Sequence, residues 1–181
     1  MNATEETRAP RGNLGSGSDA LVARINRVVH AQPDQRGASS GAKSRVLTGA
    51  SGTEGIHFSN TAAEAVVRHG LKARVLAELS DAAHIDVRHL LEFAGIDRTT
   101  VSRRVARDDV LPHEASVKAM QFTELVATAV GVFGSVEGTS IWLTRPHPLL
   151  EGETPMQRAR TPWGLQRVRS MLGALKYGGA V

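Results

Sequence analysis

The chain has 181 residues and a formal net charge of +4 at pH 7. That length suits one domain of ordinary size or two small ones. It contains no cysteine, which excludes disulfides and thiolate metal sites, and it lacks an apolar run of about eighteen residues, which argues against a membrane-spanning helix. The N-terminus has no apolar stretch of the kind found in export signals, so the sequence predicts a cytoplasmic protein.

The charged residues are unevenly distributed. Residues 56–144 carry nine Lys or Arg against eleven Asp or Glu, yet four arginines fall within residues 98–107. Residues 145–181 carry six basic residues against two acidic ones. Positive charge that is focused in this way favours a polyanion or an acidic protein surface as a partner.

Residues 1–57 contain no aromatic residue and eight of the eighteen glycines. Such a composition buries too little apolar surface to offset chain entropy, so it predicts a largely disordered arm. The exception is a possible helix over residues 19–31, which Ser18 or Asp19 can cap and whose apolar residues fall on one face. This segment is either a fraying helix or a dimerisation or docking segment.

From Thr61 onward the apolar pattern is helical and predicts an all-α fold. Capping residues, glycines and prolines bound the predicted helices, which are 61–70, Leu71–Ala83, Asp86–Ala94, Asp97–Arg107, Pro112–Gly134, Ser135–Leu143 and two that begin at Thr154 and Thr161. Apolar residues at core spacing are Leu71, Val75, Leu76 and Leu79, then Phe122, Leu125, Val126, Ala129 and Phe133, and finally Leu165, Val168, Met171, Leu172 and Leu175.

The helices at 86–94 and 97–107 have the proportions of a helix-turn-helix. Gly95 in the three-residue turn supplies the positive φ that a side chain resists. With Val101 and Val105 turned toward the core, the opposite face of the second helix presents groups that can contact phosphates or base edges. The predicted DNA-binding residues are Arg98, Thr99, Thr100, Ser102, Arg103, Arg104 and Arg107. The alternative is a small helical packing unit whose arginines are solvated and partly neutralised by Asp108 and Asp109.

The C-terminal third combines a proline-rich loop with capped helices. Thr154 and Thr161 are each followed by proline at the first helical position, and Gln157 completes a capping box with Thr154. Trp142, Trp163 and Tyr177 concentrate in this small basic segment, and such aromatic residues are favoured in protein interfaces. The segment is therefore either a helical cap on the core or an interaction module.

The order of helix-turn-helix, long helix, VFGSVEGTSIWLTRPHPLLEGETP, RTPWG and LGALKYG resembles the Xre/MbcA/ParS-type antitoxin family over roughly residues 61–178. The resemblance implies an Xre-like DNA-binding domain at 58–134 and a toxin-binding domain at 135–181, after the arm at 1–57. It implies that 97–107 is the recognition helix and that the partner is a RES-domain toxin, which depletes NAD⁺.

The C-terminal residues that we expect at the toxin-binding site are Trp142, Pro146, Pro148, Leu149, Gly152, Thr154, Pro155, Trp163, Lys176, Tyr177 and Gly178. Most are expected to serve as scaffold, as are the further matching residues Leu143, Thr161, Gly164, Leu172 and Leu175. The resemblance implies that the end of the chain approaches the toxin's active-site entrance, so we expect direct contact from Tyr177 and Gly178. Three positions depart from the family pattern and leave partner specificity open: His147 stands where asparagine is expected, Glu151 replaces a glycine, and Trp163 takes a position usually small or acidic.

No residue pattern of an enzyme is present in the sequence. His84 and His89 lack the spacing and the third ligand of a metal site, and there is no phosphate-binding loop or dinucleotide fingerprint. The sequence therefore predicts no catalysis, no cofactor and no metal. It predicts an antitoxin, as a dimer, that binds its toxin and its own operator DNA. The alternatives are a stand-alone dimeric helix-turn-helix regulator without a toxin partner and an adaptor whose arginines do not contact DNA.

Overall fold

The computed structural model of the protein describes residues 68–178. The predictions for residues 1–57, including the helix at 19–31, and the predicted helix start at Thr61 lie outside this range. Within it the secondary structure is helical, as predicted, with α1 Val75–Ala83, α2 Val87–Ala94, α3 Arg98–Ala106, α4 His113–Phe133, α5 Val136–Thr144, α6 Pro155–Arg158 and α7 Pro162–Lys176. A single 3₁₀ turn, Pro148–Leu150, lies between α5 and α6.

Local sequence explains the boundaries of α2 and α3. The Asp86 side chain accepts a hydrogen bond from the Arg88 amide and starts α2. Gly95 ends that helix at φ 67°, where a side chain would be strained, and the Asp97 side chain then accepts from the Thr100 amide to begin α3. The predicted helix, three-residue turn and second helix are confirmed here.

The core surrounds α4, which contacts α1, α2, α5 and α7. Phe122 of α4 meets Phe93 of α2 edge to face, with ring centroids 6.0 Å apart. Buried side chains form one continuous cluster from Leu71 to Leu172. The largest fully buried ones are Phe122, Leu71, Leu76, Leu79, Leu90, Leu125, Leu143, Leu150, Leu172, Val126 and Val130. Residues on both sides of the predicted boundary at 134 therefore share one core in the described part of the chain.

The predicted helix Leu71–Ala83 begins too early, because α1 starts at Val75. Lys72 instead forms an isolated antiparallel bridge with Val110, and the Leu111 amide donates to the Leu71 carbonyl. Leu71 is still fully buried, and its amide donates to the Ser116 hydroxyl at 3.1 Å. Contacts with residues far along the chain thus keep Leu71 and Lys72 out of the helix, although the apolar spacing is helical.

The inward orientation predicted for Val105 is wrong, since 46% of that residue is exposed. Val101, one turn earlier, is half-buried and packs against the core. Helix α3 has no fully buried residue, so it lies on the surface of the described region and contacts the core through half-buried Val101. Leu175 and Phe133 also depart from their predicted stripes: Leu175 is 37% exposed near the end of α7, and Phe133 is half-buried against Trp142.

The two Thr-Pro pairs begin helices, as predicted. Thr154 and Gln157 form a reciprocal capping box at α6, and Thr161 accepts from the Gly164 amide at the start of α7. His147 caps the 3₁₀ turn by accepting a hydrogen bond from the Leu149 amide through Nδ1 at 3.2 Å. An asparagine side chain can make the same bond, so this departure from the family pattern preserves the local structure.

Within residues 68–178 no single helix is long and apolar enough to cross a membrane. Helices α4 and α5 satisfy the length and hydropathy requirements together, but they are bent by 116° where they meet. Most of the apolar side chains of α4 are buried in the core described above.

Candidate functional site

Helix α3 presents a basic face, which we call the α3 surface. Its exposed residues include Arg98, Thr99, Ser102, Arg103 and Arg107. Within residues 68–178 the guanidinium groups of Arg98, Arg103 and Arg107 form no ion pair with any carboxylate. These arginines can therefore bind an external anion without first breaking an internal contact.

Two of the predicted DNA-binding residues also serve the fold. Thr100 is half-buried, and its hydroxyl donates to the Asp97 carboxylate at 2.6 Å. Arg104 is half-buried, and its Nη1 donates to the carbonyl oxygen of Val110 at 2.7 Å. Arg104 thereby ties α3 to the segment that pairs with Lys72, so its replacement would destabilise the fold as well as remove charge from the surface.

Asp108, which follows α3, pairs with residues near the start of α1. Asp108 adopts a left-handed conformation at φ 51° and turns away toward the start of α1. Its carboxylate lies 3.0 Å from Lys72 Nζ and 3.1 Å from Arg74 Nη1. The hydrogen bond from Lys72 lowers the pKa of Asp108, and nearby Arg74 adds to this effect. Nothing in the local sequence signals these pairs, which join residues more than thirty positions apart.

The C-terminal segment presents a second exposed area, which we call the C-terminal surface. Trp163 is 84% exposed and Tyr177 is 64% exposed, at opposite ends of α7. The other exposed members of the predicted toxin-binding set are Pro146, Pro148, Leu149, Gly152, Lys176 and Gly178.

Three predicted members of this set are built into the structure instead of being fully presented to solvent. Trp142 is half-buried, with its ring 5.4 Å from that of Phe133 and 6.4 Å from that of His147. Pro155 is buried at the first position of α6, and Thr154 caps that helix. These three residues shape the C-terminal segment more than they extend its surface.

The loop before α6 is fixed by a charged cluster. Arg158 Nη2 lies 3.1 Å from Glu151, and its Nε lies 3.2 Å from Glu153. Glu151 itself has φ 59°, a left-handed conformation that suits the glycine expected at this family position. The ion pair with Arg158 thus accompanies a residue whose backbone is strained.

A further contact that the sequence did not predict joins the loop to α7. Arg167 Nη2 donates to the carbonyl oxygen of Leu149 at 2.9 Å. The backbone of Leu149, a residue that is 42% exposed, is thereby held beside α7. The two residues are eighteen positions apart, and no local pattern marks the pair.

Comparison with known proteins now adds to this geometry. Residues 128–178 match the profile of the antitoxin Xre/MbcA/ParS C-terminal toxin-binding domain. Over 79 residues the chain is 33% identical to a protein of Pseudomonas putida named Antitoxin Xre. The aligned region covers 44% of this chain and 50% of that protein, so the chain spans about half the length of the curated relative that it matches.

The described part of the molecule is an all-α protein with two exposed helical surfaces, one basic and one rich in aromatic residues. With the matches above, the chain is similar to the Xre/MbcA/ParS-type antitoxins, in agreement with the resemblance found in its sequence. That is a family of antitoxins and not of enzymes. The region that matches the toxin-binding domain begins inside α4, before the boundary predicted at 135.

Proposed function

We propose that this antitoxin neutralises a RES-domain toxin by covering the entrance to its NAD⁺ site with the end of α7. Inhibition is steric: the antitoxin excludes NAD⁺ and supplies no chemistry of its own. The observation that carries the proposal is the exposure of Tyr177, which is 64% accessible at the end of a helix inside the matched toxin-binding region. A residue that enters a partner's cavity must be free of its own core.

The rigidity of α7 supports a plug of this kind. The Thr161 cap and Pro162 fix the start of the helix. Val168 and Leu172, on the inner side of α7, are fully buried. The exposed end is therefore held in place by a buried face of the same helix. Docking a prearranged element loses less conformational entropy than ordering a flexible tail.

We further propose that the α3 surface binds the operator of the antitoxin's own gene in the major groove. The arginines without internal ion pairs, Arg98, Arg103 and Arg107, suit phosphates and guanine edges. Two copies of the chain would present two such helices to paired half-sites, which requires a homodimer. In this proposal residues 58–134 form the DNA-binding part, residues 135–181 form the toxin-binding part, and the protein acts in the cytoplasm.

Co-expression with the neighbouring gene tests the toxin part of the proposal. The full chain should restore growth and NAD⁺ level in cells that express a RES-domain toxin from that gene, and the two proteins should copurify. Persistent NAD⁺ loss despite ample antitoxin would refute neutralisation. If no toxin binds while the protein still shifts its own promoter DNA, the chain is a stand-alone regulator.

A further inference from the structure

Trp163 is the most exposed large apolar residue among those described, at 84% accessibility. It stands in the first turn of α7, between the N-cap Thr161 and Gly164, which is buried. The backbone that carries the indole is therefore fixed, whereas the indole itself meets solvent. A large aromatic side chain held this way is the kind of anchor that dominates protein interfaces.

The outer side of α7 continues from Trp163 to Tyr177. At 100° per residue, five positions fall within about 40° of one line along the helix. These residues, which we call the α7 face, are Trp163, Arg167, Ser170, Ala174 and Tyr177. Aromatic residues stand at its two ends and small ones near its middle, so a partner's backbone can approach closely between them.

The charge around the α7 face selects an acidic partner. Helix α7 contains Arg167, Arg169 and Lys176 and no acidic residue. Arg169 pairs with Glu124 at 2.8 Å, whereas Arg167 and Lys176 form no ion pair within residues 68–178. The nearby acids Glu151 and Glu153 are occupied by Arg158. Complementary charge on a partner would therefore be negative.

The length of α7 places its two exposed aromatic residues far apart. Fourteen residues of helix at 1.5 Å each place Trp163 roughly 21 Å from Tyr177. If Tyr177 covers the toxin's NAD⁺ entrance, any contact of Trp163 with the toxin lies well away from that entrance. Trp163 then contributes to affinity, whereas Tyr177 contributes to inhibition.

We infer that Trp163 is the affinity anchor of this antitoxin, docking into an apolar pocket within an acidic part of the toxin's surface, remote from the NAD⁺ site. The inference rests on the proposed function and adds the chemistry of the partner surface. Arg167 acts beside the anchor, pairing with toxin carboxylates while it holds Leu149 against the same area. Trp163 also distinguishes the cognate toxin from toxins that lack such a pocket.

The test compares three variants of the full chain: Trp163→Ser, Arg167→Glu and the control Ile141→Ser. Ile141 is 55% exposed on α5, so the control removes a comparable exposed apolar side chain from another element. Binding to the RES-domain toxin encoded by the neighbouring gene is measured by calorimetry at low and high salt. Toxin activity is measured separately at saturating antitoxin, and thermal unfolding verifies that each variant folds.

Trp163→Ser should raise the dissociation constant about 30-fold or more, as expected for an interface anchor, while a saturating amount still inhibits the toxin completely. Arg167→Glu should weaken binding most at low salt, and Ile141→Ser should bind like the unmodified chain. Binding of Trp163→Ser within about twofold of the unmodified chain would overturn the inference, as would active toxin at saturation. Failure of the unmodified chain to bind the toxin would remove the proposed function and this inference together.

Discussion

A side chain on Gly164 would collide with the backbone of Arg158, because a β-carbon built there lies 1.8 Å from the Arg158 carbonyl oxygen. The start of α7 therefore touches the end of α6 backbone to backbone. Gly164→Ala should force these helices apart and lower the free energy of unfolding by about 3 kcal/mol or more. Denaturant unfolding of the full chain followed by circular dichroism measures the change.

Gly173 on the same helix provides the matched control. A β-carbon there meets nothing within 4 Å, so Gly173→Ala should be neutral or should stabilise α7 by up to about 1 kcal/mol. If both alanine variants shifted stability equally, helix propensity and not the close approach would explain the result.

The stability of the protein should fall in acid through carboxylates at helix starts. The side-chain hydrogen bond from Arg88, followed by its amide, lowers the pKa of Asp86 from 3.8 to about 2. The Thr100 hydroxyl, followed by its amide, likewise lowers the pKa of Asp97. Both groups bind protons less readily when folded, so each stabilises the fold above its ordinary pKa and loses that contribution in acid. For Asp86 the loss occurs as the pH falls from 3.8 toward about 2.

Asp86→Asn separates titration from capping, since asparagine keeps the cap acceptor but carries no charge. The variant should lose less stability than the unmodified chain as the pH falls through this window. Thermal unfolding at a series of pH values measures the loss, at low salt because Asp86 is exposed. Parallel curves for the two proteins would show that Asp86 makes no contribution to the acid response.

Ser116 should be needed to satisfy the backbone amide of Leu71, which precedes α1. Its hydroxyl is fully buried and accepts from the Leu71 amide at 3.1 Å. Ser116→Ala leaves that buried amide without a partner, and we expect a cost of about 1 to 3 kcal/mol in unfolding. Ser170→Ala, at an exposed position of α7, should change stability by less than about 0.5 kcal/mol. Equal effects in the two variants would contradict this role.

Local patterns predicted the helical elements well where capping residues and glycines bound them. Asp86 and Gly95 fixed α2, and the two Thr-Pro pairs fixed the starts of α6 and α7. Such signals work because each satisfies backbone groups within four residues of itself. Helix periodicity around Leu71 failed, since pairing with residues near Val110 outweighs local preference there.

The candidate surfaces were predictable in composition, whereas the contacts of their residues were not. The arginines of α3 stand out in the sequence, yet nothing distinguishes Arg103 from Arg104, which donates to the Val110 carbonyl. Likewise, Val105 is exposed because of how α3 packs on the core, and helical periodicity alone does not predict that packing. Burial and long-range pairing therefore separate residues that serve the fold from those that are free to bind.

Arg103→Ala and Arg104→Ala should differ in their effects on stability. Arg103 is exposed, so its removal should weaken operator binding roughly tenfold and leave unfolding unchanged. Removal of the Arg104 side chain should also destabilise the fold by about 1 kcal/mol, because the bond to Val110 disappears. In mobility shifts over a series of salt concentrations, the slope should fall by about 0.9 for each phosphate that the variant no longer binds. The control is Arg145→Ala, which removes an exposed arginine after α5. If neither α3 substitution changes operator binding, the assignment of this helix to DNA binding is wrong.

Removal of residues 176–181 should separate binding from inhibition. The truncation deletes Tyr177 and Gly178 but keeps Trp163 and the buried side of α7, so the shortened chain should still copurify with the toxin. It should no longer block NAD⁺ consumption, because the proposed plug is gone. Operator binding should not change, since α3 is untouched.

Tyr177→Ala in the full chain should have a milder effect, namely partial inhibition, measured as NAD⁺ loss at saturating antitoxin. If the truncated chain still inhibits the toxin completely, the end of α7 does not cover the entrance and the steric mechanism is wrong.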